Sequence, residues 1–273
     1  MSMLGLLANS LAAEPIFTVA GLTINNSMIL GVIGAAVILS IMLTAAKRIT
    51  VKPGGTFASL IELAIEFIVD TTANIMHDRK KAIKFAPMIL SIFLFILLNN
   101  WIGLLPGVGS IKFGEAPLLR AFTADLNGTL ALAVFTVVLI QIYAIRELGI
   151  VAHLKHYFSD QPWNPINLFV GVLEIIGEFT KMLSLSLRLF GNVFAGEVLL
   201  SVISSISGYA TPVTALPFYL MELFVGFIQA FVFTMLAIVF LSVATHHEAD
   251  SPDDSHSQPD HSPDALLTQG ISD

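Results

Sequence analysis

Long apolar stretches, in which ionisable residues are rare, dominate this chain and limit the folds open to it. Of its 273 residues, 55% are hydrophobic and only 12% are charged, and the mean hydropathy is +0.83. A soluble domain of this size could not cover its surface with so few charges, so the composition fits a polytopic membrane protein. The expected class is all-α: five membrane-crossing helices plus one interfacial amphipathic helix, with the last two crossings long and strongly tilted.

Hydropathy and loop signals place helices near residues 27–46, 57–76, 83–105, 127–145, 166–207 and 213–245, all within a single membrane domain, 27–245. An external N-terminal segment, 1–26, precedes it, and a disordered acidic cytoplasmic tail, 246–273, follows it. Segment 57–76 differs from the others. Glu62, Glu66 and Asp70 recur every four positions, so one face is acidic and the opposite face apolar, the pattern of a helix lying at the membrane surface. Segments 166–207 and 213–245 each exceed the roughly 30 Å hydrocarbon core at about 1.5 Å per residue, so they tilt, break or extend past the bilayer.

With the N-terminus outside, Lys47, Arg48, Lys52, Arg79, Lys80, Lys81, Lys84, Arg146 and Lys155 fall on the cytoplasmic side, and Lys112 and Arg120 fall outside. That split follows the positive-inside rule and puts the C-terminus in the cytoplasm. The start is apolar but lacks a basic region ahead of it, which favours a retained segment over a cleaved signal. The formal charge of −7 resides in the tail, where Glu248, Asp250, Asp253, Asp254, Asp260, Asp264 and Asp273 face no Lys or Arg. Its composition is that of a solvated, disordered segment, and its His and Asp residues offer at most loose metal binding. With no cysteine there is no disulfide or thiolate site. Phosphate-binding loops, HExxH and nucleophile elbows are missing, so any nucleotide chemistry belongs to a partner; no cofactor, metal or nucleic acid is expected.

Arg188, in SLSLRLFGNVFAGE, is the charge that such a chain should not carry. Guanidinium at membrane depth costs several kcal/mol and cannot shed its proton, so an intramembrane Arg marks a functional site. At about 100° per residue Glu174, Lys181, Arg188 and Asn192 share one stripe, while Glu197, nine positions past the arginine, turns to the opposite face. One helix thus shows a cation to one neighbour and a carboxylate to another, which suits two aqueous paths kept apart by a charge. Glu222 and Gln229 are seven apart in the last segment, and antiparallel packing of the two long helices would bring Glu222 to the level of Glu197. Two carboxylates in a half-dry site resist being charged together and can exchange protons.

Each residue also has a plainer role open to it. Arg188 could neutralise Glu174 or Glu197 in a structural ion pair. Glu174, Glu178 and Lys181 could snorkel at the cytoplasmic interface. Asn192 and Gln229 could join helices by hydrogen bonds, and Asn99, Asn100 and Trp101 read as an interfacial anchor.

Four stretches, SLRLFGNVFAGE, MELFVGFIQAFVFTMLAIVFLS, NNWIGLLPG and FTADLNGTLALA, resemble subunit a of the F-type ATP synthase, the stator and proton-channel subunit of its membrane sector. The resemblance implies that Arg188 faces a rotating ring of c subunits and that Asn192, Glu197, Glu222 and Gln229 line the proton path, with Glu174, Glu178 and Lys181 as possible accessories. Glu222 stands where some members carry His, so the relay role there departs from part of the family. The resemblance further implies peripheral-stalk b subunits and, through the complex, a catalytic head as partners, no catalytic site in this chain itself, and a bacterial inner membrane as its setting. Two rivals remain at this stage: a secondary transporter whose arginine binds an anionic substrate, and a structural membrane subunit with a buried ion pair.

Overall fold

The computed structural model describes residues 15–19, 22–48, 56–105, 108, 112–113, 116–117, 119–150 and 165–246. The expected acidic tail and the first 14 residues lie outside these, as do Lys52 and Lys155. The long helices are α1 (Asn26–Arg48), α2 (Thr56–Met76), α3 (Arg79–Gly103), α4 (Leu126–Leu148), α5 (Pro165–Ser207) and α7 (Leu216–His246); α6 (Thr211–Thr214) is a single turn. Among the described residues, five helical stretches are long and apolar enough to cross a membrane, and α2 is not one of them. Two small antiparallel pairs, β1 (Pro15–Val19) with β2 (Leu22–Asn25) and β3 (Lys112–Phe113) with β4 (Ala116–Pro117), sit outside the helical body and were not anticipated.

Helix α3 is the hub, because 61% of its apolar window is buried against 28% for that of α1. Phe85, Ile89, Phe93 and Ile96 of α3 meet Leu185 and Leu189 of α5, and Phe233, Ile238 and Leu241 of α7, in one continuous core. Within a bilayer apolar burial gives little drive for helix association, so close backbone approach and buried hydrogen bonds decide the packing. Gly34 of α1 shows the first device: a Cβ there would meet the Asn99 amide at 2.7 Å, so only glycine admits that contact. The turn from α2 to α3 is set locally. His77 takes a left-handed conformation (φ 53°), and the Asp78 carboxylate caps α3 by accepting from the Lys80 and Lys81 amides.

Asp125 ties three parts of the chain together. Its carboxylate caps α4 by accepting from the Asn127 amide at 3.1 Å and accepts the Ser27 hydroxyl of α1 at 2.6 Å, with both side chains buried. Removing it loses a helix cap and a charge-assisted bond and leaves the Ser27 hydroxyl unpaired. Asp125→Ala is therefore expected to cost about 2 kcal/mol, and Asp125→Asn clearly less because an acceptor remains. The melting midpoint of the detergent-solubilised protein checks this, and an Ala variant as stable as wild type would remove the tie.

Candidate functional site

Helix α5 runs unbroken through the arginine. Leu185, Ser186, Leu189 and Phe190 face inward and are buried, and Ser186 is within hydrogen-bonding distance of Thr129 of α4, their hydroxyl oxygens 3.2 Å apart. That phase turns Leu187, Arg188 and Gly191 outward, and all three are exposed. Among the described residues Arg188 forms no ion pair, so the structural pairing with Glu174 or Glu197 is not found. The arginine is displayed on the outer face, with Ser184, Leu187 and Gly191 exposed around it.

On one side of Arg188 lies an open recess of about 400 Å³, whose walls include Thr180, Lys181, Ser184 and Arg188 of α5 with Leu236 and Phe240 of α7. Lys181 pairs with Glu178 at 2.6 Å and lies over the Phe240 ring at 5.1 Å. These contacts turn the lysine onto protein neighbours as well as towards the recess. Glu174 is half-buried one turn ahead of Glu178.

On the other side, about 13 Å along the helix from Arg188, a narrow, partly open cavity of about 10 Å³ is lined by Glu197 of α5, Glu222 and Gly226 of α7, and Asn100 and Gly103 of α3. That volume suffices for about one water. The antiparallel packing expected of the two long helices does bring Glu197 and Glu222 to one cavity, and both Glu222 and Arg120 lie within electrostatic reach of Glu197. Gly196 makes the approach possible, since a Cβ there would meet the Glu222 carboxyl at 2.1 Å.

Two expected site residues lie apart from both spaces. Asn192 is half-buried between them on α5, and Gln229 is buried on α7 with its amide nitrogen lacking a hydrogen-bond partner among the described residues. The interfacial-anchor reading is corrected for Asn99 and Asn100, while Trp101 stays half-exposed. Asn99 and Asn100 are buried in the bundle, Asn100 donates to the Gly226 carbonyl at 3.0 Å, and Trp101 donates to the Leu223 carbonyl at 3.2 Å, both on α7. These bonds fasten α3 to α7 beside the carboxylates. Arg120 was also missed; it donates to the Ala124 carbonyl at 3.2 Å. A pair of amides at the closing turn of an apolar helix was the one sequence signal for Asn100, whereas nothing local pointed to Arg120 or Gly196.

The family model described as ATP synthase A chain matches residues 27–242. The chain is similar to ATP synthase subunit a 2 of Chlorobaculum tepidum, at 35% identity over 257 residues that cover 88% of this chain and 68% of that protein. It is 34% identical to ATP synthase subunit a of Anaeromyxobacter dehalogenans, over 80% of this chain and 57% of that protein. It is equally 34% identical to subunit a of Aliivibrio salmonicida, over 82% and 85% respectively.

Proposed function

Because this chain belongs to the ATP synthase A chain family, we propose that it carries protons through the membrane sector of an F-type ATP synthase, along two half-channels that meet a rotating ring of c subunits at Arg188. The observation that carries this reading is the display of Arg188 on the outer face of α5, without an ion pair among the described residues, between a narrow carboxylate-lined cavity and an open recess. A fixed cation turned away from its own bundle needs an anion from elsewhere. A ring carboxylate supplies one.

In this scheme a proton enters from outside by way of the cavity, where Glu197 and Glu222 hand it towards the ring, with Asn192 and Gln229 along the path. The protonated ring carboxylate is neutral and can turn through lipid. After nearly a full rotation it reaches the recess beside Lys181 and Glu178, releases its proton to the cytoplasm, and is held briefly by Arg188. Arg188 thereby blocks direct leakage between the two paths. Each charge that crosses 100 mV yields about 2.3 kcal/mol, so several protons serve one ATP. ATP chemistry itself is left to the catalytic head, with b subunits holding this chain still against the ring. The distribution of basic residues supports an external N-terminus and a cytoplasmic C-terminus, and the bacterial relatives support a bacterial inner membrane as the setting.

The transporter reading is not favoured, since an intramembrane anion site of that kind calls for discontinuous helices and α5 is continuous from Pro165 to Ser207. The chain has no cysteine, so single thiols test the ring-facing side directly. Leu187→Cys and Gly191→Cys are expected to cross-link to ring subunits bearing a thiol near their carboxylate, and buried Leu189→Cys is not. Failure of both outward positions to cross-link in an assembled complex would sink the proposal.

A further inference from the structure

The inner end of α3 carries a feature that the ion path does not use. Lys80, Ile83, Lys84 and Pro87 fall on one helical face and all are exposed, Ile83 by 58%. Helix α1 covers this face from Ser91 onward, where the Ser91 hydroxyl reaches the Met42 sulfur at 3.8 Å, but leaves the preceding two turns open. Leu43, next to Met42, is itself 53% exposed. Beside the open face, Lys84 is ion-paired with Glu147 at the end of α4, and this places Arg146, also exposed, at the same level. Glu147 is satisfied by Lys84, and Asp78 is occupied in capping α3. Among the described residues the Lys80 and Arg146 head groups thus have no ion-pair partner.

Cations at the rim and an apolar strip directly beneath match one ligand profile: an anionic headgroup with a hydrocarbon chain attached. From Lys80 to Pro87 the face descends about 10 Å, from headgroup level into the hydrocarbon. Long basic side chains near helix ends reach readily to phosphate. We propose that the inner end of α3 and α4 binds an anionic phospholipid, its phosphate held by Lys80 and Arg146 and an acyl chain lying over Ile83 and Pro87. The proposal rests on the helices crossing a membrane, and it is independent of the roles given to Arg188, Glu197 and Glu222.

The test uses the intact complex in phosphatidylcholine nanodiscs doped with photoactivatable phosphatidylglycerol or with phosphatidylcholine bearing the same reactive acyl chain. Labelling is mapped by mass spectrometry across residues 82–94. Phosphatidylglycerol is expected to label this stretch preferentially. In Lys80→Gln/Arg146→Gln the preference should fall by roughly 25-fold, about fivefold per charge removed, while Lys80→Arg/Arg146→Lys retains it. The double variant leaves the Lys84 pair with Glu147 intact, and ATP-driven pumping is read separately. Equal labelling by the two headgroups overturns the proposal, as does a preference unchanged in the Gln variant. Labelling by neither lipid would mean that another subunit's helix fills the face, and suppression by inorganic phosphate at matched ionic strength would assign it to a soluble anion; both outcomes also overturn it.

Discussion

Arg188→Ala abolishes ATP-driven acidification of inverted membrane vesicles while the complex stays assembled; this is the largest effect expected of any single substitution in the chain. The two halves of the expectation have separate causes. Assembly survives because the side chain is exposed on the outer face of α5 and pairs with no carboxylate among the described residues, so its removal opens no cavity and strands no buried charge. On the proposed mechanism, pumping fails because the arriving ring carboxylate loses its counter-charge. A charge-assisted contact worth up to about 3 kcal/mol corresponds to a loss on the order of 100-fold. The contact must also break on every step, so it is expected to be hydrated rather than a dry bidentate pair. Arg188→Lys is expected to fail as well, because lysine is a more strongly hydrated point charge and can give up its proton when desolvated. An immunoblot for the assembled complex accompanies the pumping assay. Normal pumping by either variant would remove Arg188 from the ion path.

The second large effect is expected at a residue with no chemistry of its own. Gly196 backs onto the Glu222 carboxyl so closely that a Cβ would lie 2.1 Å from it, and the adjoining cavity of about 10 Å³ gives the displaced group little room. Gly196→Leu therefore pushes Glu222 out of the cavity it shares with Glu197. An overpacking cost of about 1–3 kcal/mol, carried into the barrier for proton transfer, corresponds to roughly five- to 150-fold slower proton conduction through vesicles stripped of the catalytic head. Gly196→Ala is milder, because the end of a glutamate side chain can yield by about an ångström. Adding Glu222→Asp, which withdraws the carboxyl by one methylene, should restore part of what the alanine removes. Wild-type conduction in an assembled Gly196→Leu complex would show that the position of Glu222 is unimportant.

Much of the site could be read in advance because helical phase is a local property. Once SLSLRLFGNVFAGE is helical, nine residues at about 100° each must turn Glu197 away from Arg188, whatever surrounds them. Arg188 itself stood out because an ionised group in an apolar run is costly enough to require a reason. Asn100 was misread for the opposite cause. An amide near the end of a spanning helix serves equally well at an interface or in a bundle, and the bond to Gly226 joins residues 126 positions apart. Arg120 was likewise counted only as an external charge, because its proximity to Glu197 depends on how the connection ahead of α4 packs against α5.

The sequence by itself determined the class of fold, the five apolar crossings and the rotational order of charges along α5, since each follows from local hydropathy and from the fixed period of a helix. Only the tertiary structure decided which faces are covered. It set Leu185 and Leu189 into the core so that Arg188 points outward, and it brought Glu222 against Gly196 with Asn100 alongside. Apolar helices in lipid gain little from one another by hydrophobicity, so their mutual positions depend on close glycine contacts and a few buried hydrogen bonds between distant residues. Such contacts have no period and no local signature, so they become legible only once the helices are packed.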